Sequence, residues 1–136
     1  MKYIILLLLP FLTFSQEDVP SKYWITDDGF EDAISTNQAF GDDETKLVVV
    51  EFWAKFNEAN CFTDWDKLED VIYYRVDIAK APNSKKKYKV RMAPTIIIFK
   101  DGVKEEMFKA GLDLVLPTDL EEIQETINEI NSASRF

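Results

Sequence analysis

The chain has 136 residues, 25 of them acidic and 16 basic, and a formal net charge of -9 at pH 7. This length allows one domain with a hydrophobic core and is too short for two. The acidic balance argues against nucleic acid as a partner, because a negative surface repels phosphate backbones. The sequence contains no histidine, which excludes an imidazole base and an imidazole metal ligand within the chain.

The first segment, residues 1–15, has the layout of a secretory signal. Lys2 precedes an apolar run, and small residues at Thr13 and Ser15 predict cleavage after Ser15. The run falls short of the roughly 20 apolar residues of a spanning helix, so an uncleaved anchor is the less favoured alternative. Residues 16–136 are therefore predicted to be an exported domain, periplasmic or secreted, with no stable membrane span. Loss of Lys2 changes the formal charge from -9 to -10.

The mature domain is predicted to begin with a short strand and a helix. The apolar stretch 22–25 is followed by the polar residues 26–28, which suit a helix N-terminus. Phe30, Ala33 and Ile34 then have the spacing of an amphipathic helix.

A central strand comes next. The run LVVVEFWA at 47–54 shows no polar alternation, which predicts a strand covered on both faces. Residues 56–68 are predicted to be helical only in pieces. The β-branched and aromatic stretch 71–79 predicts a further strand.

The C-terminal half supplies the remaining elements. Asp101-Gly102 is a hairpin signal between two strands, and Thr118 with Glu121 matches a helix capping box. The predicted elements are a helix that opens at Pro82, a buried strand at 96–99, its antiparallel partner at 104–109 and a helix at 118–130.

The order of these elements predicts the fold class. It is strand, helix, strand, helix, strand, helix, strand, strand, helix. Parallel neighbours need crossover connections, and the hairpin adds an antiparallel edge. The sequence therefore predicts an α/β fold with a central mixed β-sheet flanked by helices on both faces.

Other ligand sites are not indicated. Asp42, Asp43 and Glu44 are consecutive and lack the alternating oxygen spacing of a calcium loop. The four glycines form no phosphate-binding loop, and the lysine run at 85–87 is small enough to be a solvated helix face. We therefore expect no metal and no cofactor.

Three stretches in this order resemble the thioredoxin family. VVVEFWA resembles the strand before the active-site turn, with Glu51 at the place of a buried acid and Trp53 at the place of a tryptophan. The stretch 90–102, VRMAPTIIIFKDG, resembles the segment that holds a cis-proline, here Pro94, and 76–90 resembles the strand, loop and helix before it. The resemblance implies the thioredoxin fold across nearly all of the mature chain.

The resemblance also implies a peptide-binding groove. The Ala93–Pro94 bond is expected to be cis, with the backbone of Ala93 facing the turn after Ala54, where the family pairs with an extended peptide. The groove positions are then Phe56, Asn57, Asn60, Ala93, Pro94 and the backbone near Gly111.

The turn departs from the family where the chemistry resides. Counting from the strand, the family's aromatic falls on Phe56 and its two cysteines fall on Asn57 and Asn60. A dithiol oxidoreductase needs one thiolate to attack a disulfide and a second thiol to resolve the mixed disulfide, and asparagine does neither. The chain is also shorter than the family between Asn60 and Asp77, so the helix after the turn is expected to be short or broken.

Cys61 is the chain's one cysteine, and three interpretations of it stay open. It is a small core residue, since free cysteine is among the most buried types. Alternatively it reaches a helix N-terminus, where the dipole lowers its pKa and makes a one-cysteine thiol site, although Glu58 and Asp64 oppose thiolate formation. The third possibility is an intermolecular disulfide.

Glu51 has two interpretations. If the resemblance places it under the turn, burial favours its neutral form, as for a proton acceptor in redox-active relatives. The favoured alternative is a carboxyl satisfied by Lys55 or by a nearby backbone group, because buried acids are usually paired.

Three functions from different classes follow. The preferred one is a binding module without dithiol activity that holds an extended partner segment in the groove, with Asn57 and Asn60 as hydrogen-bonding groups. The second is a thiol-disulfide oxidoreductase that uses Cys61 and an external resolving thiol. The third is a structural subunit of an envelope complex.

Overall fold

The computed structural model describes residues 19–35 and 46–133. The predicted signal peptide and the acidic run at 42–44 lie outside these residues. Within them, the main elements are α1 (Phe30–Ser35), β1 (Leu47–Trp53), β2 (Val71–Asp77), α2 (Pro82–Lys87), β3 (Thr95–Lys100), β4 (Val103–Lys109) and α3 (Leu120–Ala133). Across the same ranges, no helix has the length and hydropathy that a bilayer span requires.

The strands form one mixed sheet in the order β2-β1-β3-β4. β1 pairs with β2 in parallel, while β1 with β3 and β3 with β4 are antiparallel. The β3–β4 turn has positive φ at both Asp101 and Gly102, the backbone that suits a tight hairpin. The hairpin signal read from the sequence is therefore confirmed.

The two faces of the sheet are covered by different helices. Alternate residues of β1 and β3 point to opposite sides, so Val50 and Ile97 pack with Phe30 of α1, while Val49 and Ile98 pack with Ile123 of α3. These side chains are almost fully buried. The predicted α/β fold, with a mixed sheet between helices, is confirmed.

The predicted first strand at 22–25 is wrong. Residues Ser21–Tyr23 form a 3₁₀ turn, and only Trp24 makes an isolated parallel bridge, to Arg75 of β2. The Trp24 indole N–H donates to the carbonyl of Val19 at 3.1 Å, which holds the turn closed. Because Pro20 has no backbone N–H, it cannot extend a ladder from this side.

The connection from β1 to β2 is helical in pieces, as predicted. It contains 3₁₀ segments at Lys55–Asn60 and Trp65–Lys67 and, over residues 54–70, no α-helix. The β1 end and the start of the connection form the turn that carries the candidate site.

The predicted capping box of the last helix is wrong by one position. The N-terminal cap of α3 is Asp119, whose Oδ1 accepts the backbone N–H of Glu122 at 3.0 Å. Thr118 lies one residue too early for this role, because a cap bonds the N–H three residues on.

Candidate functional site at the degenerate turn

The turn after β1 places Phe56 in solvent and Asn57 in the interior. Phe56 is 76% exposed and Asn57 only 8%. The helical segment Lys55–Asn60 is kinked at Asn57, where φ is -123° and ψ is 25°. This kink directs the Asn57 side chain inward to the loops of the C-terminal half.

The Asn57 amide joins three parts of the chain. Its Nδ2 donates to the carbonyl of Ala93 at 2.8 Å and to the carbonyl of Leu114 at 2.9 Å. Its Oδ1 accepts from Asn60 Nδ2 at 2.9 Å. Both N–H groups of Asn57 are therefore used within the chain and are not available to a partner.

The proline loop lies behind this amide. The Ala93–Pro94 peptide bond is cis, and both residues are buried. The carbonyl of Pro94 accepts the N–H of Ala110 at 3.0 Å, which ties the proline loop to the end of β4. The groove positions Asn57, Ala93 and Pro94 thus form the frame of the site, while Phe56, Asn60 and Gly111 lie at its surface.

The loop after β4 completes the site, and of its residues the sequence analysis identified only Gly111. Its backbone closes on itself, with Leu114 N–H donating to the carbonyl of Gly111 at 2.9 Å and Leu114 at a φ of 63°. Leu112 is 99% exposed and Val115 44% exposed. The sequence signal that could have identified it is the group of apolar residues Leu112, Leu114 and Val115 directly after Gly111.

Exposed apolar side chains therefore lie on two loops, Phe56 on the turn after β1 and Leu112 and Val115 on the loop after β4. The hydrogen bond between Asn57 and Leu114 connects the two loops. We use the name turn surface for Phe56, Asn60, Gly111, Leu112 and Val115. Large apolar side chains exposed in a group of this kind commonly mark an interaction site.

Cys61 lies at the C-terminal end of the helical segment, where its N–H caps the carbonyl of Glu58. It is a free, half-buried thiol in a cleft of about 190 Å³ that Val115 and Leu116 also line. Burial raises the pKa of the Cys61 thiol, and the Glu51 carboxylate acts in the same direction, against the Arg75 guanidinium. Cys61 therefore does not lie at a helix N-terminus, where the dipole would have lowered its pKa.

Glu51 is fully buried below the turn and is bonded from three directions. One carboxylate oxygen accepts the Tyr73 hydroxyl at 2.7 Å and an N–H of Arg75 at 3.1 Å. The other accepts the backbone N–H of Phe62 at 2.9 Å, the residue after Cys61. Arg75 also donates to the carbonyl of Phe62, so the pair holds the start of the β1–β2 connection against the sheet.

Burial raises the pKa of Glu51, and Arg75 and the three hydrogen bonds oppose that shift. The partner of the carboxylate is Arg75, not Lys55, which the sequence had suggested as one possibility. Arg75 lies directly opposite Glu51 in the parallel β1–β2 register. An arginine inside an otherwise apolar strand is the sequence signal for this ion pair.

Trp53 lies at the edge of a separate cleft. Its ring meets that of Trp24 edge-on, with centroids 5.1 Å apart. Together with Lys55 and Asp77 the two rings line a cleft of about 400 Å³ beside the ends of β1 and β2. Among residues 19–35 and 46–133 there is no cluster of His, Cys, Asp and Glu suited to a metal ion.

Comparisons with known proteins agree with this geometry. The family model described as Thioredoxin matches residues 22–128. A designed protein superposes with a TM-score of 0.60 at 20% identity, covering 79% of this chain and 95% of the other. A mutant thioredoxin from Halobacterium salinarum NRC-1 gives a TM-score of 0.55 at 19% identity, with coverages of 78% and 87%.

A cysteine mutant of a thioredoxin from Entamoeba histolytica gives a TM-score of 0.50 at 21% identity, covering 79% of this chain and 96% of the other. At these identities the likeness to solved structures shows the fold alone. A search of curated proteins found no match.

Proposed function

The chain belongs to the thioredoxin family, and we propose that it is an exported binding module of that family, which holds an extended segment of a partner protein. The observation that carries the proposal is the Asn57 amide. By the resemblance, it occupies the position of the family's first cysteine, and it donates hydrogen bonds to the carbonyls of Ala93 and Leu114. Since the chain has a single cysteine, it has no second thiol to resolve a mixed disulfide.

The turn surface is the proposed contact region. Phe56 and Leu112 offer apolar area to solvent, and Asn60 and Gly111 lie beside them on the same two loops. The buried groove positions Asn57, Ala93 and Pro94 hold these loops in place. A partner that covers Phe56 and Leu112 gains the free energy of burying both, about 1.5–3 kcal/mol for each side chain fully removed from water.

The environment of Cys61 supports a role without thiol chemistry. A nucleophilic cysteine works as the thiolate, and burial together with Glu51 moves the pKa of Cys61 upward. We expect the mature chain and its Cys61→Ala variant to reduce a disulfide substrate in excess thiol at the same background rate. Activity that disappears in Cys61→Ala would make the chain a one-cysteine oxidoreductase and overturn the proposal.

The binding role is tested by capture and crosslinking. The chain from Gln16 onward serves as bait in an envelope extract of the source cells, beside Phe56→Ala, Leu112→Ala and Val103→Ala variants. Val103 is a matched control because it is also an exposed apolar residue, 60% exposed, but lies in the β3–β4 hairpin. We expect the first two variants to lose a crosslinked protein that wild type and Val103→Ala retain.

Equal capture by all four proteins would show that the turn surface is not the contact region. A partner that co-purifies with the wild type in a fixed ratio, and that Phe56→Ala does not release, would favour the structural-subunit alternative instead.

A further inference from the structure

The basic residues of this acidic chain are concentrated in one segment. Between Lys80 and Lys100, both included, there are seven Lys or Arg residues and no Asp or Glu. The rest of the chain keeps nine basic and 25 acidic residues. The molecule therefore combines a segment of charge +7 with a remainder of charge -16.

The fold gathers part of this charge, together with Lys109 of β4, around a groove. Lys89, Arg91 and Lys109 line a depression of about 480 Å³ whose apolar lining includes Met92, Met107 and Leu112. We call these six residues the cationic groove. A neighbouring depression of about 320 Å³ shares Lys89 and Arg91 and adds Lys85 and Lys86, so the positive charge continues along α2.

Most of these charges have no ion-pair partner among residues 19–35 and 46–133. Lys87 pairs with Glu31 of α1 at 3.0 Å. By contrast, none of the lysines at 85, 86, 89 and 109, nor Arg91, has an ion pair with any residue that the structure describes. Asp113 follows Leu112 in sequence, and its carboxylate accepts the backbone N–H of Val115.

We propose that the cationic groove binds an extended acidic segment of the partner protein, in which carboxylates alternate with apolar side chains. The carboxylates would face Lys89, Arg91 and Lys109, and the apolar side chains would contact Met92 and Met107. The groove continues from the turn surface through Gly111 and Leu112, so this inference rests on the proposed function and specifies the chemistry of its partner.

The shape and the total charge favour a short acidic peptide over larger polyanions. A duplex nucleic acid or an anionic bilayer extends well beyond the groove and meets the strongly acidic remainder of the chain. The Debye length is about 8 Å at physiological salt, so that repulsion acts over the neighbouring surface. A peptide confined to the groove avoids it.

The test uses two fluorescent peptides and the chain from Gln16 onward. In one peptide glutamate alternates with leucine, and in the other lysine replaces each glutamate. Fluorescence anisotropy is measured at low and at physiological salt. We expect the acidic peptide to bind and the basic one not to, with weaker binding at higher salt, and we expect Arg91→Glu to lower the affinity by about tenfold or more.

Lys104→Glu is the matched control. It makes the same type of charge reversal on the exposed part of β4, outside the groove, and should change the affinity much less. Thermal unfolding of both variants verifies that they fold, since both sites are exposed. Equal losses in Arg91→Glu and Lys104→Glu would show a general charge effect and overturn the inference.

Further outcomes separate this inference from the proposed function. If both peptides bind equally and Phe56→Ala weakens both, the turn surface is a binding site and the proposed acidic preference of the cationic groove is wrong. If Arg91→Glu abolishes binding of the acidic peptide but Phe56→Ala has no effect on it, the cationic groove is the binding site and the proposed role of the turn surface is wrong. Failure of both peptides overturns the groove, while the capture experiment still decides the proposed function.

Tighter binding to anionic lipid vesicles or to duplex RNA than to the acidic peptide would overturn the inference. So would self-association that Arg91→Glu abolishes, because the occupant would then be a second copy of this chain.

Discussion

The Asn57 side chain has a structural role at the turn after β1. Its amide reaches the carbonyl of Ala93, 36 residues away, and that of Leu114, 57 residues away. These two bonds fix the relative positions of the turn, the proline loop and the loop after β4. The site is therefore held together by the Asn57 amide.

We expect Asn57→Ala to lower the free energy of unfolding by about 1–3 kcal/mol, because it leaves two carbonyls without their buried donor. Asn60→Ala is the control. Asn60 is exposed and only donates to Asn57, so its loss should cost about 0.5 kcal/mol or less. Denaturant unfolding measures both. Similar losses in the two variants would contradict the bracing role of Asn57.

Glu51 and Arg75 form the second residue-level unit. The Arg75 side chain is 6% exposed and the Glu51 side chain 0%, and they meet at 3.1 Å. The Tyr73 hydroxyl accepts from Arg75 Nε at 2.8 Å and donates to the carboxylate, which completes the network. Such a pair contributes little net stability when intact, but it is costly to break on one side.

We expect Arg75→Met to destabilise the protein by about 3–5 kcal/mol at neutral pH, since it leaves the Glu51 charge buried and unpaired. Without Arg75 the pKa of Glu51 should rise further. A carboxyl whose folded pKa exceeds its unfolded pKa favours the native state below the unfolded pKa and loses that contribution as the pH rises through the folded pKa.

The stability gap between wild type and Arg75→Met should therefore narrow as the pH falls from neutral to about 5. Urea unfolding across this range is the measurement. Arg91→Met is the control, because Arg91 is exposed and has no carboxylate partner among the described residues. If the difference in free energy of unfolding between wild type and Arg75→Met stays constant or widens on acidification, the buried charge of Glu51 is not the cause of the destabilisation.

At the scale of elements, α2 is capped by a residue from another part of the chain. Asp27 accepts the backbone N–H of Asn83 at 3.0 Å and of Ser84 at 2.8 Å, and also the Ser84 hydroxyl. Pro82 opens the helix, at a position where no N–H is needed. The aspartate predicted to begin α1 thus caps α2, while Thr26 accepts the N–H of Gly29 ahead of α1.

This cap predicts a pH dependence. The hydrogen bond from the Ser84 side chain is the main cause that holds the pKa of Asp27 below its ordinary value. A carboxyl with a lowered folded pKa contributes stability above its unfolded pKa, about 3.9, and loses it as the pH falls through the folded pKa. We expect Asp27→Ala to have a lower free energy of unfolding than wild type at neutral pH. This difference in the free energy of unfolding should disappear in strong acid.

Asp28→Ala is the matched control, because Asp28 is exposed and forms no hydrogen bond within the described ranges. Unfolding curves for the three proteins across the acidic range provide the comparison. An Asp28→Ala variant as unstable as Asp27→Ala would show that the tertiary cap is not the cause.

At the scale of the whole molecule, the sheet separates two hydrophobic cores. Ile97 faces the core that contains Phe30 of α1, and Ile98 faces the core that contains Ile123 and Ile127 of α3. Both isoleucines are 0% exposed. Neighbouring residues of one strand therefore report on opposite sides of the fold.

We expect Ile97→Val and Ile98→Val each to lower the free energy of unfolding by about 0.5–1.5 kcal/mol, because each removes a buried methylene group. Val103→Ala, at an exposed position of β4, should change it by about 0.5 kcal/mol or less. Denaturant unfolding monitored by tryptophan fluorescence and by circular dichroism should give one transition. A negligible change in the free energy of unfolding for either isoleucine variant would mean that the helix on that face of the sheet does not pack tightly against it.

Features with a local cause could be predicted from the sequence. The run Leu47–Trp53 forms a strand buried on both faces because it lacks polar alternation, and Asp101-Gly102 forms a hairpin because both residues tolerate positive φ. These preferences act within a few residues, so they are visible before the chain is folded. The broken helix between β1 and β2 was predicted in part from the resemblance, because the chain is shorter than the thioredoxin family between Asn60 and Asp77.

The sequence by itself therefore determined the four strands of the mixed sheet, the helices that flank them and the absence of a second cysteine, but not the 3₁₀ turn that replaces the predicted first strand. Only the tertiary structure decided that Asn57 braces the turn, that Arg75 neutralises Glu51 and that Asp27 caps α2. Each of these contacts joins residues 24 to 57 positions apart. Polar partners at such separations are selected by packing, because the chain must first bring the two segments together before either group finds its donor or acceptor.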